Sequence, residues 1–282
     1  MLLLSMPTPP GSDDAAPLRH DALAALACPD PATKAAWATE LAQRAAQASD
    51  DAIDTGPIPL PPTAPVLPGR PERPRLVPPR QVPGRSAHTP EGRAALLHAI
   101  AHIEFNAINL ALDAAWRFPG LPPAFYRDWL RVAGEEALHF RLLREHLLSL
   151  GHDYGDFDAH DGLWTMTAKT ADDLAARLAL VPRTLEARGL DATPPLQAKF
   201  AQAGDLRAVE ILAVILRDEV GHVAIGNRWY RWVCARDGLD PLAHTAEMTA
   251  RHAAPRARPP FNVAARRAAG FDEDELAALQ RP

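Results

Sequence analysis

Cysteine is scarce: Cys28 and Cys234 are the only two, and neither sits in a motif. A disulfide framework and a thiolate metal site are therefore excluded, and a reducing, cytoplasmic setting is expected. No apolar run approaches the ~18 residues of a membrane span, and the opening MLLLSMP is too short and lacks the basic start of a signal peptide. A soluble intracellular protein with no membrane partner is expected. Positive charge is not in excess either. Thirty Lys and Arg against 35 Asp and Glu leave a formal net charge of −5, which argues against a general nucleic-acid binder. Also missing are a Gly-rich phosphate loop, a G-x-S-x-G elbow and the His/Cys/Cys set of a zinc deaminase.

What is present is a chain of 282 residues, 47% hydrophobic, enough for one large domain with a substantial core and appended arms. Its 29 prolines are unevenly spread, and most of the excess falls between Pro57 and Pro90. The composition divides the chain into an N-terminal helical segment (1–54), a Pro-rich strap (55–90), a helical body (91–240) and a C-terminal tail (241–282). The first segment reads as one or two alanine-rich helices over 18–48, broken near CPDP. So many prolines forbid helix and central strand in the strap. Ile58, Leu60, Val66, Leu67, Leu76 and Val77 are expected to lay it against the body. The tail is expected to finish in a short helix near FDEDELAALQ.

Helical periodicity governs the body. It predicts helices over 91–116, 123–149 (stopping before Gly151), 171–188 (ended by Gly189) and 205–236 (ended before Gly238). Two short connections and one long one, GHDYGDFDAHDGLWTMTAKT, are what a four-helix bundle with a single crossover requires. Steps of three and four along each helix give four apolar stripes, each interrupted by one glutamate. Glu104 lies among Leu97, Ile100, Ala101, Ala107, Ile108 and Ala111; Glu136 lies among Trp129, Val132, Ala133, Phe140 and Leu143. Glu186 follows Ala175, Leu178, Ala179 and Pro182, and Glu219 lies among Ile211, Leu212, Ile215, Val223 and Gly226. His139 and His222 follow Glu136 and Glu219 by three residues, which stacks each pair on one side of its helix. Glu104 to Glu136 is 32 positions and Glu186 to Glu219 is 33, so the helix pairs read as pseudo-equivalent halves.

Four carboxylates balance two divalent cations, and two neutral imidazoles add ligands without charge. Oxygen and imidazole donors without thiolate suit iron or manganese, with zinc an alternative. Two Glu and two Glu-x-x-His on four helices match the ligand pattern of ferritin-like di-metal carboxylate bundles.

The segments GRAALLHAIAHIEFNAINLALD, DWLRVAGEEALHF, YGDFDAHDGLW, LVPRTLEARGLD and LRDEVGHVAIGN together resemble an uncharacterised bacterial ferritin-like family, described as a domain of unknown function. The resemblance covers about residues 70–240 and implies an all-α, ferritin-like four-helix bundle with one long crossover. It also implies a di-metal site on Glu104, Glu136, His139, Glu186, Glu219 and His222, with two iron ions, or manganese, as cofactor. A more distant relative in fold is the bacterial tRNA hydroxylase that oxidises a modified adenosine.

Blander readings hold for other residues. His98 and His102 precede Glu104 off its stripe, His102 lying about 200° around the helix, and are expected on a polar or secondary packing face, with His98 also a candidate to support a ligand. Asp153, Asp156, Asp158, His160 and Asp161 lack the order of a calcium loop and read as turn residues. Asp113 and Asp218 are candidates to orient ligand histidines. Arg70, Arg73, Arg75, Arg80, Arg85 and Arg93 are expected to cap helices and pair with acids, an RNA contact being the alternative. Trp129, Phe140, Trp164 and Trp229 are core residues or pocket walls.

The expected function is a di-metal oxidoreductase that activates dioxygen or a peroxide to oxidise a substrate, small molecule or RNA, with a reductase or ferredoxin as electron donor. The alternatives are a metal-binding protein without an organic substrate (ferroxidase, peroxide scavenger or scaffold) and, more weakly, a tRNA-modifying hydroxylase. A homodimer is also compatible.

Overall fold

The computed structural model of the chain describes residues 17–60, 66–83 and 86–280; the opening MLLLSMP and Arg85 lie outside them. Among the described residues the protein is all-helical, without β-strands. The helices are α1 (Leu18–Ala27), α2 (Pro31–Gln47), α3 (Pro90–Arg117), α4 (Pro123–Ser149), α5 (Gly162–Lys169), α6 (Leu174–Leu180), α7 (Ala187–Gln202), α8 (Leu206–Asp237), α9 (Pro241–Arg251), α10 (Val263–Ala268) and α11 (Glu273–Leu279). Their ends follow local chemistry. Asp30, inside CPDP, caps α2 by accepting from Thr33 N at 2.8 Å, and Asp205 caps α8 in the same way. Gly151 and Gly238 take left-handed φ values of 81° and 67° just past α4 and α8, where a Cβ would be strained.

The described residues form two compact units: 17–60, 66–83 and 94–160 in the first, 86–93 and 161–280 in the second. In the first, α2 packs along α4 so closely that a Cβ on Gly134 would meet Ala42 Cβ at 2.5 Å. Helix α3 is buried nearly all round. Its apolar stretch is long enough to cross a membrane by length and composition, yet 83% of it is buried inside the protein, as in a core helix.

Residues 55–60 and 66–83 of the strap belong to the first unit and are fastened mainly through their backbone, while 86–90 belong to the second. Gly69 N donates to Leu26 O (2.9 Å), Val77 N to Ala159 O (2.8 Å), and Trp116 Nε1 to Ile58 O (3.2 Å). Of the apolar side chains expected to anchor the strap, Ile58, Leu67 and Val77 are half-buried while Leu60, Val66 and Leu76 are exposed; Pro68, Gly69 and Pro74 are buried. Arg19 of α1 adds a buried clamp. It donates to Ala115 O (2.9 Å) and Trp116 O (2.7 Å), carbonyls in the last turn of α3, and to Asp54 O (3.1 Å).

In the second unit, α7 and α8 pack together and the tail covers them. Ala187, Leu190, Val223, Ala269, Phe271 and Leu276 form the buried cluster. The third predicted helix needs correction here. It begins at Leu174, is interrupted by a π-turn over Val181–Glu186, and continues past Gly189 to Gln202. Gly189 does not end it, and Pro194 and Pro195 sit inside α7. Pro194 has no N–H for Leu190 O; Asn262 Nδ2 from the tail donates to that carbonyl instead, at 3.2 Å. The crossover also contains a helix of its own, α5.

Candidate metal centre

In the first unit Glu104 lies at the middle of α3, and Glu136 and His139 lie three residues apart on α4; all three are buried. Their ligand atoms all fall within 4.8 Å of one another. His139 Nδ1 is 3.3 Å from Glu104 Oε2 and 3.2 Å from Glu136 Oε2, so one ring nitrogen serves two carboxylates. Burial, and then the charge of Glu136, push the Glu104 carboxyl well above its ordinary range. Without a cation, therefore, the first unit carries two dry carboxylates that cannot both ionise cheaply. A divalent cation among the same oxygens would offset that cost, and two carboxylates with an imidazole are donors that suit iron or manganese. By this test the residues fit a metal.

In the second unit Glu219 and His222 occupy one face of α8, both buried, with His222 Nδ1 3.7 Å from Glu219 Oε1. Both Glu-x-x-His pairs thus turn Nδ1 toward the glutamate one turn earlier. The Glu219 carboxyl runs along α7, 3.9 Å from where a Cβ on Gly189 would stand. Glu186 is half-buried and closes the π-turn. The turn forms where Pro182 denies the helix a donor, and Thr184 Oγ1 donates back to Ala179 O at 2.8 Å.

Of the two faces expected for the histidines of α3, the structure shows the packing one. His98 and His102 are buried, because α3 has little polar face to put them on. His98 Nε2 accepts from Gly155 N (2.9 Å), while His102 Nδ1 meets Tyr154 Oη (2.9 Å) and Nε2 lies 3.2 Å from His160 O. Burial holds the His102 ring neutral, its pKa lowered to about 3. Tyr154 also packs against Phe105 and Phe140, ring centroids 5.3 and 5.1 Å away. Arg70, Pro71, Pro74, Leu76, Asn106 and Tyr154 are among the residues lining a small recess there.

Asp113 accepts from Arg117 through both oxygens (2.7 Å at Oδ1, 3.0 Å at Oδ2), and Asp218 pairs with Arg217 (2.8 Å). The crossover acids do turn work: Asp156 accepts from Asp153 N, Asp153 from Arg144, and Asp158 from Arg75. Arg93 donates to Ala203 O (3.1 Å). Trp129, Phe140, Trp164 and Trp229 are all buried.

Tyr154, Arg183 and Lys34 do structural work that helical spacing does not announce. Tyr154 opens YGDFDAHDGLW. Arg183 follows Pro182, a helix-interrupting proline that is itself a sign of a local irregularity. Lys34 lies in an alanine-rich helix where no neighbouring residue marks it as buried.

Residues 27–277 match the protein family described as "Protein of unknown function (DUF455)". A protein of Haemophilus influenzae, described as "Uncharacterized protein", is 56% identical over 213 residues, covering 73% of this chain and 74% of its own length. No solved structure matches.

Proposed function

The chain belongs to the DUF455 family of proteins of unknown function, and we propose that it is a non-haem di-iron oxidoreductase, with manganese as the alternative metal. In this reading α3–α4 and the α6–α7/α8 pair are the two halves of a ferritin-like four-helix bundle. Glu104, Glu136, His139, Glu186, Glu219 and His222 are its ligands. The observation that carries the proposal is the buried convergence of Glu104, Glu136 and His139. The repeat of glutamate and Glu-x-x-His in the second unit supports extending the set to six.

When bound, such a metal pair supplies activation of dioxygen or a peroxide for oxidation of a substrate, with electrons from a reductase or ferredoxin. The chain's own part is to hold the carboxylates in a fixed, dry place. Phe105 and Phe140, each adjacent in sequence to a ligand, are buried with their ring centroids 5.3 Å apart, which adds apolar bulk to this part of the first unit.

Elemental analysis of protein purified without added metal tests the proposal, alongside a Glu136→Ala/Glu219→Ala variant. About two iron or manganese per chain, lost in the variant, is the expected result. Near-zero metal in both, with no uptake on anaerobic ferrous addition, would overturn it. Metal without oxygen consumption by the reduced, loaded protein would remove the oxidoreductase half and leave a metal-binding role.

A further inference from the structure

Glu186 closes a turn that is held in shape from the far end of the chain. A π-turn accommodates one residue more than an α-helical turn, and it occurs mostly as a single turn held by its surroundings. Two sets of contacts within the second unit hold this one. On one side Pro182 lies against α8 at Gly226, where a Cβ would come within 2.6 Å of Pro182 Cβ. On the other side Arg183 is buried and fully engaged. Its Nε donates to Asn227 Oδ1 at 2.5 Å, one terminal nitrogen donates to Thr245 Oγ1 at 3.3 Å, and the other pairs with Glu275. The guanidinium lies 4.2 Å from the Tyr230 ring centroid and 5.4 Å from that of Phe271.

Glu275, the acid in this clamp, is itself fixed. Its side chain accepts from Asp272 N (2.9 Å) in the capping box that starts α11, and Arg231 of α8 donates to it at 2.6 Å. The tail is fastened in turn: Asn227 Nδ2 donates to Ala269 O (2.7 Å), and Arg266 of α10 grips Asp191 of α7 (3.0 and 2.5 Å). Thr245 on α9, Phe271 and Glu275 thus converge on one arginine, three residues before Glu186.

We infer that the C-terminal segment α9–α11 is a positioning element for Glu186, with Glu275 acting through Arg183 to set the register of the π-turn. The inference rests on the metal reading above. If the clamp opens, the turn can relax to ordinary helix. Loss of one inserted residue rotates everything beyond it by about 100° relative to α6, which carries Glu186 off its face. Glu275 and Arg183 are positioning residues: neither is a ligand, and Glu275 pairs with both Arg183 and Arg231.

The test is manganese(II) loading of the full chain, followed by desalting, elemental analysis and titration against a competing chelator, with electron paramagnetic resonance to tell a coupled pair from an isolated ion. The wild-type chain is expected to retain about two ions as a coupled pair. Glu275→Ala is expected to retain the first and bind the second about 10- to 100-fold more weakly, the usual effect of removing a residue that orients a ligand. Glu275→Gln, which keeps an acceptor for Arg183, should recover most of the loss. Glu273→Ala, on α11 like Glu275 but removing only an exposed ion pair with Arg267 of α10, should leave both ions in place.

Should Glu275→Ala fail to fold, Arg183→Lys carries the test, since it keeps the charge and loses the planar fork. Unchanged binding of both ions in the clamp variant would overturn the inference, as would an equal loss in Glu273→Ala. A wild-type chain that binds no manganese or iron would instead sink the metal reading beneath it.

Discussion

Pro182 occupies the space that a side chain at Gly226 would need: a Cβ there would stand 2.6 Å from Pro182 Cβ and 3.0 Å from its Cγ. Neither partner yields easily, since the proline ring is rigid and Arg183 anchors its turn. Gly226→Ala is therefore expected to destabilise the protein by about 1–3 kcal/mol, through overpacking. Gly221→Ala on the same helix meets nothing within 4 Å and should be neutral or stabilising by up to ~1 kcal/mol. Urea midpoints of the two variants give the comparison, and equal effects would refute the steric argument.

Lys34 is a buried amine, its pKa lowered to about 7 by burial, that donates to Leu26 O at 3.1 Å, Gly69 O at 2.7 Å and Asn109 Oδ1 at 2.5 Å. It joins the end of α1, the strap and α3. Lys34→Met takes the donor from Gly69 O and Asn109 Oδ1, while Leu26 O keeps Gly69 N, and should cost about 2–4 kcal/mol. Adding Asn109→Leu should return part of that, because one of the stranded acceptors is gone. Denaturant unfolding of the single and double variants measures both effects; a single-variant loss under about 0.5 kcal/mol, typical of a surface site, would show that the lysine is not a tie.

His102 gives the acid limb a residue-specific component. Its pKa is lowered from 6.5 to about 3, chiefly by burial. Between those values the unfolded chain binds a proton that the folded chain does not, so stability falls as pH drops. The contribution is complete above about pH 6.5 and is lost progressively toward pH 3. His102→Phe should narrow the difference in Tm between pH 7 and pH 4. A difference as wide as that of the wild type would count against a neutral, buried His102.

Glu104 works in the opposite direction while no metal is bound. Its raised pKa means that the folded chain keeps a proton the unfolded chain has lost, so this group costs stability as pH rises above its ordinary value of 4.5. After chelator treatment, Glu104→Gln should melt above the wild type at pH 7.5, with the gap closing as pH falls toward 4.5. Added manganese(II) should then raise the Tm of the wild type by more than that of the variant, which keeps the other ligands. A metal-free variant that melts lower at pH 7.5 would show that the carboxylate is not a burden there.

By itself the sequence determined what depends on neighbours a turn or two away. Asp30 and Asp205 cap their helices, Gly151 and Gly238 end theirs, and the stripes that carry Glu104, Glu136, His139, Glu219 and His222 are buried as their spacing predicts. Helical period and cap chemistry act over a few residues, so they can be read without knowing what packs where. Only the tertiary structure decided the rest. Gly189 fails to end a helix, and α7 survives two prolines, because Asn262 arrives from 72 positions away to satisfy Leu190 O. The π-turn before Glu186 depends on Gly226 and on a clamp that reaches 92 positions to Glu275. His98 and His102 went inside because α3 is enclosed on nearly every side, and the strap lies down through Gly69 and Val77 backbone bonds rather than through Leu60 or Val66. Each of these outcomes depends on a hydrogen-bond or packing partner far away in the chain, and such a partner is settled only when the fold brings it near.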